Sequence, residues 1–265
     1  MSKFKMLSGA ILALAVALPA QAGAVHDAGL FTNVLARNDD GSTGSTAIGF
    51  NLNFFGSNFS SLYVNNNGNV TFTQPLGTFT PFPIVNNSIP MLAPFFADVD
   101  TRALTSDVVR YGQSTIGGRD VFGVNWINVG VFSQLPILNS FQLIITDRSD
   151  IAAGDFDFEF NYDSILWETG QASGGNGSGL GGSSARAGWT NGSTNSFELT
   201  GSAVNGAFLN SGPNALIRGS LNSTVAGQYI FNVRGGVVQT VPEPGSLMLA
   251  ALALMGAGLA LRRKR

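Results

Sequence analysis

The run Asp155-Phe-Asp-Phe-Glu-Phe-Asn-Tyr-Asp163 leaves few folds open to this chain. Phe156, Phe158, Phe160 and Tyr162 alternate with Asp157, Glu159 and Asn161. A period of two belongs to a β-strand with one apolar and one polar face. Four aromatics on one face require a broad apolar partner surface, so this strand must lie within a larger sheet assembly. The acidic face is expected to be solvated. Neighbouring acids on it stand roughly 7 Å apart, and in water they repel by only about 0.6 kcal/mol. The strand therefore needs no metal ion to form.

Similar patterns recur. Ile48, Phe50, Leu52 and Phe54 alternate opposite Asn51 and Asn53. Residues 62–64 and 70–72 flank Asn65-Asn66-Asn67-Gly68-Asn69, and Asn-Gly between such runs is a strong hairpin signal. Gly117-Gly118-Arg119-Asp120 is expected to turn the chain between strands at 108–111 and 121–132. Residues 141–146, 186–189, 196–199 and 228–233 complete the β content. Residues 75–94 hold five prolines and read as an ordered loop, and the Gly- and Ser-rich segment 170–184 reads as a flexible surface loop. Twenty phenylalanines argue against disorder. The pattern predicts an all-β fold: an antiparallel β-sandwich-like single domain over residues 25–235.

Both ends carry targeting patterns. Lys3 and Lys5, an apolar run over 7–18 and Ala20-Gln21-Ala22 describe an N-terminal signal peptide over 1–22, cleaved after Ala22. At the other end, a linker (236–245) containing Pro242-Glu243-Pro244 precedes a hydrophobic helix and basic tail (246–265). Residues 246–261 would span about 24 Å as a helix, short of a hydrocarbon core of about 30 Å. Arg262, Arg263, Lys264 and Arg265 belong on the cytoplasmic side, where long basic side chains can cover the mismatch. Between these ends, eight arginines face fifteen acids, a net charge of −7. A nucleic-acid partner is therefore not expected, because phosphate contacts need a basic surface. The chain has no cysteine, so packing or bound ions must stabilise it after export.

Chemistry is sparse. His26 is the only histidine and stands beside the expected mature N-terminus, a poor place for a general base. Without cysteine, and with one histidine, cysteine nucleophiles are excluded and zinc sites are not expected. Carboxylates remain. Asp98, Asp100, Asp157, Glu159 and Glu168 are formal candidates for a glycosidase pair, the alternative reading of a carbohydrate-active enzyme. Calcium is the better expectation for oxygen-rich sites. Asp98 and Asp100 are the first candidates, since they share a face if that segment is extended; Asp39 and Asp40 lie in a turn whose carbonyls could join them.

The order of motifs resembles a known family. Asp39-Asp40-Gly41, Phe54-Phe55-Gly56, Tyr63-Val64-Asn65-Asn66-Asn67-Gly68, Ala93-Pro94-Phe95-Phe96-Ala97-Asp98-Val99-Asp100 and Trp167-Glu168-Thr169-Gly170 are similar to the NIDO domain of nidogen-like and mucin-like extracellular proteins. Phe96 stands where that family often has Trp. The resemblance covers about residues 30–220 and implies cell–matrix adhesion with no catalytic residues. The three-part C-terminus, Pro242-Glu243-Pro244, apolar run and basic tail, resembles a PEP-CTERM sorting signal. That resemblance implies an exosortase-type processing enzyme in the inner membrane of a diderm bacterium. Insertion of the hydrophobic helix would be transient, with release to the cell surface or extracellular matrix. There the expected partner is extracellular polysaccharide or a surface protein.

Overall fold

Alternating aromatic and β-branched residues build thirteen strands in the computed structural model, which describes residues 23–85 and 87–239. The segment expected as a signal peptide, the Pro242-Glu243-Pro244 motif, the hydrophobic run and the basic tail lie outside the described residues. The strands are β1 (Asn33–Leu35), β2 (Thr46–Phe54), β3 (Ser57–Asn65), β4 (Asn69–Thr71), β5 (Met91–Phe96), β6 (Val109–Ile116) and β7 (Arg119–Val129). They continue as β8 (Asn139–Asp147), β9 (Phe156–Ser164), β10 (Arg186–Thr190), β11 (Ser196–Glu198), β12 (Gln228–Arg234) and β13 (Val237–Val238). Two antiparallel sheets result, β1-β6-β7-β8-β9-β12-β13 and β11-β10-β5-β4-β3-β2. Only two short 3-10 turns interrupt the β structure among the described residues, and no helix there is long and apolar enough to cross a membrane.

The organising strand is β9, held between β8 and β12. Phe156, Phe158, Phe160 and Tyr162 are buried in the main core with Trp126, Phe141 and Phe231 of neighbouring strands and Phe54, Leu92 and Phe95 of the other sheet. Trp126 stacks on Phe141, with ring centroids 5.3 Å apart. A two-residue turn closes one hairpin where expected: Gly117 and Gly118 link β6 to β7 with φ of +57° and +78°.

Three expectations need correction. First, the acidic face of β9 is not open to water. Asp155, Asp157 and Asn161 are buried and Glu159 is half-buried. The segment around His26 lies across it as a strap: its N–H donates to Gln142 Oε1 at 3.0 Å, and Asn125 Nδ2 donates to the Ala28 carbonyl at 2.9 Å. His26 Nε2 stands 3.2 Å from Glu159 Oε2. Arg148 and Arg234 clamp Asp157, each at 2.6 Å. Phe31 continues the strap onto Val121 and Ile144, making a small second apolar layer outside the sheet. Alternation correctly separates the two faces but says nothing of what covers the polar one.

Second, residues 170–184 are folded tightly rather than loose. Ser183 N–H donates to the Ser173 carbonyl, and Glu168 and Thr169 N–H both reach the Gly179 carbonyl, each at 2.9 Å. Its glycines at positive φ make successive tight turns, which a composition rich in Gly and Ser does not distinguish from freedom. Third, β5 extends through Pro94, in a segment expected to be loop. Proline cannot donate to a ladder. Here the β10–β5 register shifts between Arg186 and Gly188, opposite this part of β5, and β4 pairs only with Met91 and Leu92. The Pro94 carbonyl instead accepts the buried Tyr162 hydroxyl at 2.6 Å.

Candidate functional site

The β3–β4 turn brings two distant segments together. Asn66 Nδ2 donates to the Asp39 carbonyl at 2.6 Å and also to the Val99 carbonyl. Asn67 accepts the Val99 N–H through Oδ1 and donates to Asp40 Oδ1 through Nδ2, both at 2.9 Å. Trp126 fixes the turn from the core side, its indole N–H donating to the Asn66 carbonyl at 3.0 Å. Buried asparagines suit this task because one amide supplies both donors and an acceptor.

Three carboxylates gather around this frame. Asp39, Asp40 and Asp98 each offer an oxygen within 4.8 Å of the others. Asp98 is only 1% exposed, and neither of its oxygens has a hydrogen-bond partner among the described residues; Asp39 Oδ1 is likewise buried and unpartnered. Burial, then repulsion from Asp39, Asp40 and Asp100, pushes the Asp98 carboxyl up to about 7, while Arg102 works in the opposite direction. Burial, then repulsion from Asp100 and Asp40, raises Asp39 to about 6, again against Arg102. Carboxylates this close can share a divalent cation such as Ca²⁺.

Asp98 thus joins Asp39 and Asp40 rather than Asp100. The Asp100 carboxylate is taken by Arg102, at 2.9 Å from Nε and 2.7 Å from Nη2. The same guanidinium reaches Asp39 Oδ2 at 2.9 Å. Regular pairing of β5 ends at Phe96, and Val99 makes only an isolated bridge to Val131, so strand alternation does not set these side chains.

A pH dependence follows for the metal-free protein. The folded-state values of Asp98 and Asp39 lie above the ordinary 3.8, so their contribution to stability is complete below about pH 4 and lost as pH rises through 6 to 7. Thermal melts in chelator are expected to show a higher melting temperature at pH 5 than at pH 8. The opposite order would contradict this placement of the two acids.

The remaining acids serve the fold. Glu168 is buried beneath residues 206–208 and accepts the Gly206 and Phe208 N–H groups at 2.7 and 2.6 Å. Burial still raises its carboxyl above the ordinary value, the backbone bonds offsetting only part of the effect. Asp157 is clamped by its two arginines, and Glu159 is shared among His26, Asn161 and Gln228. A groove of about 430 Å³ beside β11, lined by Phe197, Pro213, Asn214, Arg218 and Tyr229 among others, contains no carboxylate. That groove therefore holds no pair of facing acids of the kind a glycosidase needs.

Comparison with known proteins agrees with this architecture. Residues 21–213 match the family described as NIDO related, and residues 240–264 match the PEP-CTERM protein-sorting motif. Alpha-tectorin of Mus musculus is 34% identical over 225 residues, covering 74% of this chain and 10% of the tectorin. Alpha-tectorin of Gallus gallus is 31% identical over 244 residues, covering 80% and 10%. Nidogen of Drosophila melanogaster is 29% identical over 210 residues, covering 69% and 14%. The chain therefore spans about a tenth of the length of the curated relatives it matches. No solved structure matches. With nearly three quarters of its residues inside that match, the chain belongs to the NIDO-related family and carries a PEP-CTERM sorting motif behind its β domain.

Proposed function

We propose that this chain is an exported, non-enzymatic adhesion module, delivered to the cell surface or extracellular matrix by an exosortase-type enzyme. The observation that carries this reading is the sorting motif matched over 240–264, directly behind a domain of the NIDO-related family. In this reading Pro242-Glu243-Pro244 is the processing determinant. The apolar run inserts transiently in the inner membrane, and Arg262, Arg263, Lys264 and Arg265 hold its end at the cytoplasmic face. Extracellular polysaccharide or a surface protein is the partner. The groove beside β11 suits either, since it combines the half-exposed Phe197 with Asn214 and Arg218. Calcium is the cofactor that the oxygen-only donor set at Asp98 favours.

Replacing Pro242-Glu243-Pro244 by three alanines tests the sorting role. Wild type is expected outside the inner membrane and shortened at both ends. The variant is expected in the inner-membrane fraction, shortened only at its N-terminus. Fractionation with intact-mass measurement reads both. If both proteins keep Arg265 and sediment with the inner membrane, the C-terminus is a plain anchor and the sorting role is wrong.

A further inference from the structure

We infer that Asp98, Asp39 and Asp40 form a structural Ca²⁺ site that clamps the turn after β1 to the segment after β5. This deepens the cofactor element of the proposed function and rests on it, but not on adhesion or sorting.

The first support is a contrast within the fold. The other buried acids are paired: Asp100 and Asp157 by arginines, Glu168 by two backbone N–H groups, Asp155 by the Gly235 N–H at 2.8 Å. Asp98 alone among them has neither oxygen bonded, although it is as buried as any. An unpaired buried carboxylate is among the costliest groups a fold can carry. This one faces two further carboxylates. Arg102, which acts on them, is already committed to Asp100 and to Asp39 Oδ2, while Asp39 Oδ1 has no partner among the described residues.

The geometry admits Ca²⁺. Oxygens bound at about 2.4 Å to one centre can lie up to about 4.8 Å apart, and the three carboxylate oxygens fall within 4.8 Å of one another. Mg²⁺ dehydrates reluctantly and demands near-ideal octahedral geometry, so an all-protein carboxylate set suits it less well. No sulfur or imidazole donor is present: the chain has no cysteine, and its one histidine is engaged by Glu159. Gly170 leaves room beside this carboxylate, because a Cβ there would stand 2.2 Å from Asp98 Oδ2. Asp40 is exposed and Asp39 half-buried, which gives an ion a path from solvent to Asp98.

The test uses the purified full chain in mild detergent, stripped with chelator and titrated with Ca²⁺. At about a hundredfold excess over Kd, the melting temperature is expected to rise by roughly 5–10 °C. The same concentration of Mg²⁺ should give a smaller rise. Tb³⁺ should bind with emission excited through tryptophan, since Trp126 is one hydrogen bond from Asn66. Asp98→Asn keeps the shape and removes the charge. It is expected to melt higher than wild type in chelator, to lose the calcium-induced rise and to lose the Tb³⁺ signal. A merely structural aspartate would not show that reversal. Asp40→Asn, at the exposed edge, should weaken the calcium response, and it decides the matter if Asp98→Asn does not fold. Equal wild-type melting in Ca²⁺ and chelator overturns the inference, as does a full calcium response in either variant. A failure of sorting in cells would leave these melts untouched, so the two readings fail separately.

Discussion

Phe158→Ala is expected to destabilise the domain by about 3–5 kcal/mol, the range for truncating a fully buried phenylalanine. Phe158 has no exposed surface and stacks on Phe231 of β12, with centroids 4.7 Å apart and planes 11° from parallel. It also touches Phe156 and Phe160 on its own strand, at 6.2 and 5.6 Å. Truncation leaves a cavity bounded by rings on two strands, and rings held in ladders on both sides cannot collapse into it. For a domain of this size the loss corresponds to roughly 6–20 °C in melting temperature. Denaturant unfolding checks it. A midpoint equal to that of the wild type would remove Phe158 from the core, and with it the central place given to β9.

Gly68→Ala is expected to be comparably damaging for a different reason. Gly68 adopts φ of +72° in the β3–β4 turn, and a Cβ there would stand 1.8 Å from the Phe95 carbonyl oxygen. The neighbour is strand backbone, not a side chain that can swing away. The left-handed conformation costs a non-glycine residue about 1–2 kcal/mol, and forcing an atom into packed structure costs about 1–3 kcal/mol more. Gly117→Ala is the control. Its φ is +57°, but nothing lies within 4 Å of the added Cβ, so only the conformational part applies. If the two variants unfold at the same denaturant concentration, the close approach of the turn to β5 is not real.

The sequence made some of this legible and hid the rest for identifiable reasons. The β9 alternation and the Asn-Gly and Gly-Gly turns are local signals, and each stands where expected. Strand β5 was obscured by Pro94, whose missing donor is tolerated only because the ladder is irregular there. Asp98 is legible as a candidate ligand, but its grouping with Asp39 and Asp40 in the fold is not. Asp39 and Asp40 lie some sixty residues earlier in the chain, and long-range contacts such as those of the Asn66 and Asn67 amides bring them alongside. Nothing in the spacing of Asp98 and Asp100 reveals that Arg102 withdraws the second of them. The strap that reaches Glu159 comes from more than a hundred positions away, beyond the reach of any local pattern.

That covering has a kinetic consequence. His26 bonds to Gln142 and Glu159, partners 116 and 133 positions later. Closing a loop of that length costs about 2 kcal/mol more in chain entropy than closing one of a dozen residues. Such distant contacts belong to slow-folding topologies, in which the pairing must be assembled before it is rewarded. The first part of the domain to be synthesised is thus among the last to find its place. Until β8 and β9 are both available, the strap has nothing to lie on, and the polar face of the sheet stays uncovered. A chain built in this way remains unlocked while it is threaded across a membrane, and fastens only once most of its length has arrived on the far side.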